Sequence, residues 1–214
     1  MPQPDRYTTL ARDGATDIEV KRSRFHCRLV RVDTEDAARA VVDEARRTHW
    51  DARHHCSAFR LGPTGEVQRS SDDGEPSGTA GAPMLDVLVR REVSDVVAVV
   101  TRWFGGTLLG AGGLVRAYSA AVVAALDHVG TRQRRLMRQV DVHVDHATAG
   151  RLDGVVRNAG IDGVAVGGLS FGQDHAILSM AVPVEAVDRI VADLASWSQG
   201  TARPVVGDIT WHDT

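Results

Sequence analysis

The chain has 214 residues, 43% hydrophobic and 25% charged, with a formal net charge of -3, nine His and two Cys. This composition excludes collagen-like, disordered and disulfide-scaffold proteins, and no run of about 18 apolar residues is present to span a membrane as a helix. A polar lead over 1–16 without an apolar h-region and two isolated thiols, Cys27 and Cys56, predict a cytoplasmic chain without a signal peptide. Phe25–Val32 reads as a strand whose imperfect alternation suggests a bulge. Thr34–His49 reads as a helix with the apolar stripe Ala38, Val41, Val42 and Ala45. Its acids (Asp33, Glu35, Asp36) stand at the start and Arg46, Arg47 and His49 at the end, as the helix dipole favours. His54–Leu61 and Glu66–Ser70 form a strand pair around the Gly62–Gly65 turn, and Ala82–Arg91 is a short helix. The run Val96–Thr101 (VVAVVT) is a strand buried on both faces, and Leu114–Leu126 is an Ala/Val-rich helix packed deep against it.

The basic segment Gly130–Arg138 (GTRQRRLMR) reads as a linker or as the start of the next strand. Beyond it, Gln139–Asp145 alternates with period two, His146–Ala159 is helical, and Ile161–Phe171 and His175–Val182 are strands joined at Gly172–Asp174. Val184–Trp197 is helical and Pro204–Trp211 closes as a strand. The order βαββαβ is the ferredoxin-like split pattern. The expected division is 1–136 and 137–214. Charge splits nearby, +3 over residues 1–138 and -6 over 139–214, which hints at two domains with different partners.

Ten of the 21 glycines lie between Gly62 and Gly113, eight of them in two segments. Ser70–Gly81 (SSDDGEPSGTAG) sets Asp72, Asp73 and Glu75 among glycines just before a helix. Backbone N–H groups there suit an anion and the carboxylates suit a hard cation, although the spacing is not that of an EF-hand; a capped hairpin loop is the plain alternative. Thr101–Tyr118 (TRWFGGTLLGAGGLVRAY) places Gly105, Gly106, Gly110, Gly112 and Gly113 between a buried strand and a helix. It matches neither a Walker A loop nor G-x-G-x-x-G. Five glycines in nine residues serve close backbone approach or positive φ, and Arg102 and Arg116 flank them, so either a phosphate-sized anion or tight helix-on-sheet packing accounts for the run. Arg53-His54-His55-Cys56 invites a zinc reading, but neighbours on a strand face opposite ways, so only His54 and Cys56 share a face and no metal ligand set is assigned. Trp103-Phe104 offers either stacking for bases or core packing, and Arg132, Arg134, Arg135 and Arg138 offer either phosphate contacts or a solvated linker.

The segments SSDDGEPSGTAGAPML (70–85) and VVTRWFGGTLLGAGGLVRAYSAA (99–121) together strongly resemble the IMPACT family, as do Lys21-Arg22-Ser23-Arg24-Phe25 and His55-Cys56-Ser57-Ala58-Phe59. The resemblance covers about residues 17–126, and the second half is similar to the C-terminal domain of bacterial members. It implies an α+β protein of two domains: an α/β sandwich like the second domain of a small-subunit ribosomal protein, then a ferredoxin-like domain like the last domain of elongation factor G. Eukaryotic members are linked to translational control through an additional N-terminal domain, which is not expected here. The related GHMP kinases hold nucleotide phosphates at a glycine loop, but their Ser-Ser pattern is missing here.

The expectation is a non-enzymatic accessory protein that binds RNA or the ribosome and is linked to translational regulation. Its anion site consists of Arg102, Trp103, Gly105, Gly106, Gly110, Gly112, Gly113 and Arg116, with Asp73, Glu75, Gly78 and Thr79 on an opposing wall and His54 and His55 as further candidates. No cofactor or metal is called for, and the oligomeric state stays open. The alternatives are an enzyme acting on a phosphorylated small molecule or nucleotide, and a protein-interaction regulator whose partner is a translation-related protein. The site requires 72–81 and 101–116 to converge on one cleft.

Overall fold

In the computed structural model, which describes residues 4–214, the chain divides into two units, one ending at Gln133 and the other running Arg134–Thr214. The elements of the first are β1 (Arg6–Leu10), β2 (Gly14–Val20), β3 (Ser23–Arg31), α1 (Glu35–Thr48), β4 (His54–Leu61), β5 (Val67–Ser71), α2 (Gly81–Arg90), β6 (Val96–Trp103) and α3 (Ala111–Val129). Five strands form an antiparallel sheet in the order β2-β3-β6-β4-β5. Its central strand β6 explains the run VVAVVT. Val97 and Val99 pack with Phe59, Leu61 and the α1 residues Ala38, Val41 and Ala45 on one face. Ala98 and Val100 pack with Phe25, Cys27, Leu29, Cys56 and the α2 and α3 residues Met84, Leu88, Tyr118 and Val122 on the other. Alternate residues of a strand point to opposite faces, so a strand covered by helices on both sides must be apolar throughout. The Thr34 side chain caps α1, accepting from Ala37 N at 3.2 Å.

The second unit contains most of β7 (Thr131–Val144), then α4 (His146–Asn158), β8 (Ala165–Phe171), β9 (Ala176–Pro183), a 3-10 turn (Val184–Ala186), α5 (Val187–Trp197) and β10 (Arg203–Asp213). Within it the strand order is β10-β7-β9-β8, antiparallel throughout, the ferredoxin-like arrangement. Val140, Val142 and Val144 alternate onto the covered face and meet Leu178, Met180, Leu152, Val156, Ile190 and Leu194. Among the described residues no helix is long and apolar enough to cross a membrane.

Five expectations are corrected. The polar lead holds β1 and the first three residues of β2. Tyr7, Thr9 and Leu10 are buried there, and their Thr-rich setting masks the pattern; residues 1–3 of that lead lie outside the described residues. Strand β3 has no bulge: its register against both neighbours is unbroken, and Phe25, Cys27 and Leu29 face one core in strict alternation. Gly130–Arg138 is not a linker, because from Thr131 it is strand β7, with Met137 buried. Three of its four arginines are engaged within the second unit and not left for phosphates: Arg134 pairs with Asp213 at 3.1 Å, Arg135 with Glu185 at 2.5 Å, and Arg138 donates to Gly207 O at 3.0 Å. Finally, the charge split moves with the division. Residues 1–133 carry 18 basic and 18 acidic side chains, and 134–214 carry 7 and 10, so the first unit has no net positive charge. Any attraction for anions must come from the local placement of cations.

Candidate anion-binding site

The site is built where β2, β3, β4 and β6 end together. Val20 and Ser23 pair across a two-residue hairpin turn, and Lys21 and Arg22 at its tip both have positive φ, 47° and 65°. Such a turn normally uses Asn or Gly, and holding two bulky cations in it costs of order 1 kcal/mol or more each. The turn is clamped to the loop after β6. A Cβ at Gly105 would stand 2.0 Å from the Arg22 carbonyl carbon and 2.4 Å from Ser23 N, so only glycine admits this backbone approach. Gly105 N donates to Ser23 Oγ at 3.1 Å, and Arg22 Nη2 donates to Thr107 Oγ1 at 3.0 Å. Two motifs 80 residues apart in the chain are thereby one piece of structure.

The acidic loop 72–75 is internally consumed. Asp72 accepts from Gly78 N (2.7 Å), Ala80 N (3.0 Å) and Gly81 N (2.8 Å), and so caps α2 from outside the helix. Burial pushes its carboxyl up, but the three N–H donors outweigh that and hold it below the ordinary carboxylate range. The free N–H groups expected there for an external anion are therefore taken by Asp72. Asp73 accepts from Arg46 Nη2 (2.8 Å) and His55 N (2.6 Å). Glu75, buried, accepts from Arg102 Nη1 (2.6 Å) and Tyr118 OH (2.8 Å). Thr79 donates to Pro76 O at 2.6 Å. Among the described residues no group of three or more potential ligands is placed to hold a metal ion.

The segments 72–81 and 101–116 meet through the Glu75–Arg102 pair. Of the four residues assigned to the opposing wall, Glu75 reaches Arg102, whereas Asp73, Gly78 and Thr79 serve the loop itself. His54 and His55 face opposite sides of β4, as strand geometry requires; His54 Nδ1 donates to Asp73 O at 2.9 Å, and His55 is buried with Nε2 at 3.1 Å from His49 O. Trp103 is not an open stacking platform: its indole N–H donates to Asp51 at 2.9 Å and Arg24 lies over its ring at 4.9 Å. In the loop after β6, Phe104 (53%) and Leu108 (82%) are exposed. Cys56 is buried, its thiol 3.0 Å from Asp72 O and 3.3 Å from the Tyr118 hydroxyl; burial pushes it up to about 12.

Helix α3 begins at Gly110 with no side-chain cap and no acid in its first turn. The Arg116 side chain folds back over that turn, its Nη1 3.6 Å from where a Cβ on Gly112 would lie. A guanidinium and the positive end of a 19-residue helix thus reinforce one another, a placement that is unfavourable until an anion joins it. Arg116, Arg53 and Lys21 have no hydrogen-bond or ion-pair partner for their side chains among the described residues. Lys21 and Arg53 escape sequence reasoning as site residues. The hairpin signal around 21–22 would have found the first, and only adjacency to His54 marks the second.

Comparison with known proteins gives consistent results. The family model described as the Impact N-terminal domain matches residues 21–126. The chain is 44% identical over 153 residues to "IMPACT family member YvyE" of Bacillus subtilis (strain 168), covering 72% of this chain and 70% of the relative. It is 37% identical over 192 residues to "IMPACT family member YigZ" of Escherichia coli (strain K12), covering 86% and 89%. Among solved structures, a crystal structure described only as that of a hypothetical protein is 33% identical, with a TM-score of 0.62 over 94% of this chain and 97% of the other.

Proposed function

Because this chain belongs to the IMPACT family, we propose that it is a non-enzymatic accessory protein of translational regulation whose first unit binds RNA, free or in the ribosome. The observation that carries this reading is the uncapped start of α3 with Arg116 folded over it and no acid in the first turn. Lys21 and Arg53, unpartnered, add charge for phosphates, and exposed Phe104 gives a base a face to stack on. The first unit has no net charge, so the affinity rests on these few groups and not on a general field.

An enzymatic reading is less well supported. It needs a carboxylate at the glycine loops free to act as a base or to bind a cation, and Asp72, Asp73 and Glu75 are each held by backbone N–H groups, arginines or a tyrosine. The test is co-sedimentation with ribosomes and anisotropy titration of labelled RNA at low and moderate salt. Salt-sensitive binding that weakens in Arg53→Ala and Arg116→Ala is expected. Absence of any association at low salt refutes the reading.

A further inference from the structure

Resting on that reading, we propose that the pocket lined by Arg53, His54, Arg102, Phe104 and Leu108 receives the terminal phosphomonoester of a single-stranded RNA, so that the protein grips a chain end. The pocket has a volume of about 240 Å³. That is below the ~300–1,000 Å³ of sites for drug-sized ligands, and it suits a phosphate with part of its sugar.

The Arg102 side chain is only 8% exposed. Glu75 engages Nη1 alone. The guanidinium is held near two aromatic rings, 5.5 Å from the centroid of Phe25 and 5.9 Å from that of Phe104. Its Nε is buried and has no hydrogen-bond partner. A buried donor left unmade is costly, and a group this firmly oriented cannot swing out to water. Nη2, which also has no hydrogen-bond partner but is not fully buried, is the donor that a ligand oxygen entering the pocket can reach.

Charge and shape then choose the ligand. Glu75 offsets the charge of Arg102, so the charge of the guest is met by Arg53, which has no partner of its own. A phosphomonoester brings about -1.5 to -2 at pH 7, against a single charge on a phosphodiester. It also has one covalent exit, whereas an internal phosphodiester must carry chain into and out of a small recess whose donor is buried. Phe104 and Leu108, exposed, form an apolar lip where the terminal base stacks.

The test is an anisotropy titration of oligouridines of about ten nucleotides, a length within the span of known single-strand sites. They carry a 5′-phosphate, a 3′-phosphate or hydroxyls at both ends. One phosphorylated end is expected to bind about tenfold more tightly than the hydroxyl form, the value of one charge-assisted hydrogen bond. Inorganic phosphate and uridine monophosphate should compete for that increment. Arg53→Ala, at an exposed position, should abolish the preference without moving the melting temperature. Arg102→Lys should also abolish it, since it keeps a cation for Glu75 but removes Nε and Nη2. If all ends bind equally, the end proposal fails and the RNA reading stands. If no oligomer binds, both fail.

Discussion

Replacing Gly105 by alanine should break the clamp between the Lys21-Arg22 turn and the loop after β6, and the neighbouring Gly106→Ala provides the control. At Gly105 a Cβ would lie 2.0 Å from Arg22 C, 2.1 Å from its carbonyl oxygen and 2.4 Å from Ser23 N. These are backbone atoms of a hairpin, so relief requires the whole turn to move. Overpacking typically costs ~1–3 kcal/mol, and the upper end, about 3 kcal/mol, applies where backbone meets backbone. At Gly106 φ is 82° with nothing within 4 Å, so alanine there meets only the left-handed backbone penalty of about 1–2 kcal/mol. The gain from a stiffer unfolded chain is the same in both variants and cancels. At roughly 3 °C per kcal/mol for a chain of this size, Gly105→Ala should melt about 9 °C lower than the parent and Gly106→Ala about 4 °C lower. Thermal unfolding by circular dichroism, supported by urea titration, measures both. If Gly105→Ala is no more destabilised than Gly106→Ala, the proposed coupling of the two motifs is wrong.

Three further outcomes follow. Asp72→Asn should destabilise the protein by about 1–2 kcal/mol at neutral pH, since it keeps an acceptor but loses the charge that strengthens its bonds to three N–H groups. The Asp72 carboxyl is depressed in the fold, so its stabilisation is complete above its ordinary value of 3.8 and is lost as pH falls below it. The variant should therefore show a shallower loss of stability in acid, and parallel acid melts would contradict the capping role. Cys56, pushed up to about 12, and Cys27, pushed higher still by burial, should resist iodoacetamide at pH 8 until the chain unfolds. Mass spectrometry showing rapid labelling of the folded protein would refute their burial. Glu75→Ala should cost about 3 kcal/mol or more, because it leaves the buried Arg102 without its ion pair, and chemical denaturation showing a loss under 1 kcal/mol would refute the role of that pair.

Much of the fold was legible because burial imposes period. The run VVAVVT could only be a strand covered on both faces, and QVDVHVD could only be half-covered. The start of the chain was not legible, since Tyr7, Thr9 and Leu10 sit in a polar, Thr-rich stretch where a buried threonine counts as a loop residue. The site was legible in outline but not in detail. Glycine runs mark close approach without saying what approaches: at Gly105 it is the backbone of Arg22, and at the start of α2 it is the carboxylate of Asp72. Composition cannot distinguish an acid that awaits a ligand from one that caps a helix nine residues on. Arg102 reads as surface charge beside glycines, yet its strand position puts it under Phe104 and against Glu75.

The most direct test of the central claim is the salt dependence of single-stranded RNA affinity for the parent and for Arg53→Ala/Arg116→Ala. Both residues are exposed and unpartnered, so the double variant should fold normally. The account predicts a linear fall of log affinity with log salt, with a slope reduced by roughly 0.7 for each phosphate contact removed. An unchanged slope and affinity in the double variant, or no binding by the parent at low salt, would contradict it.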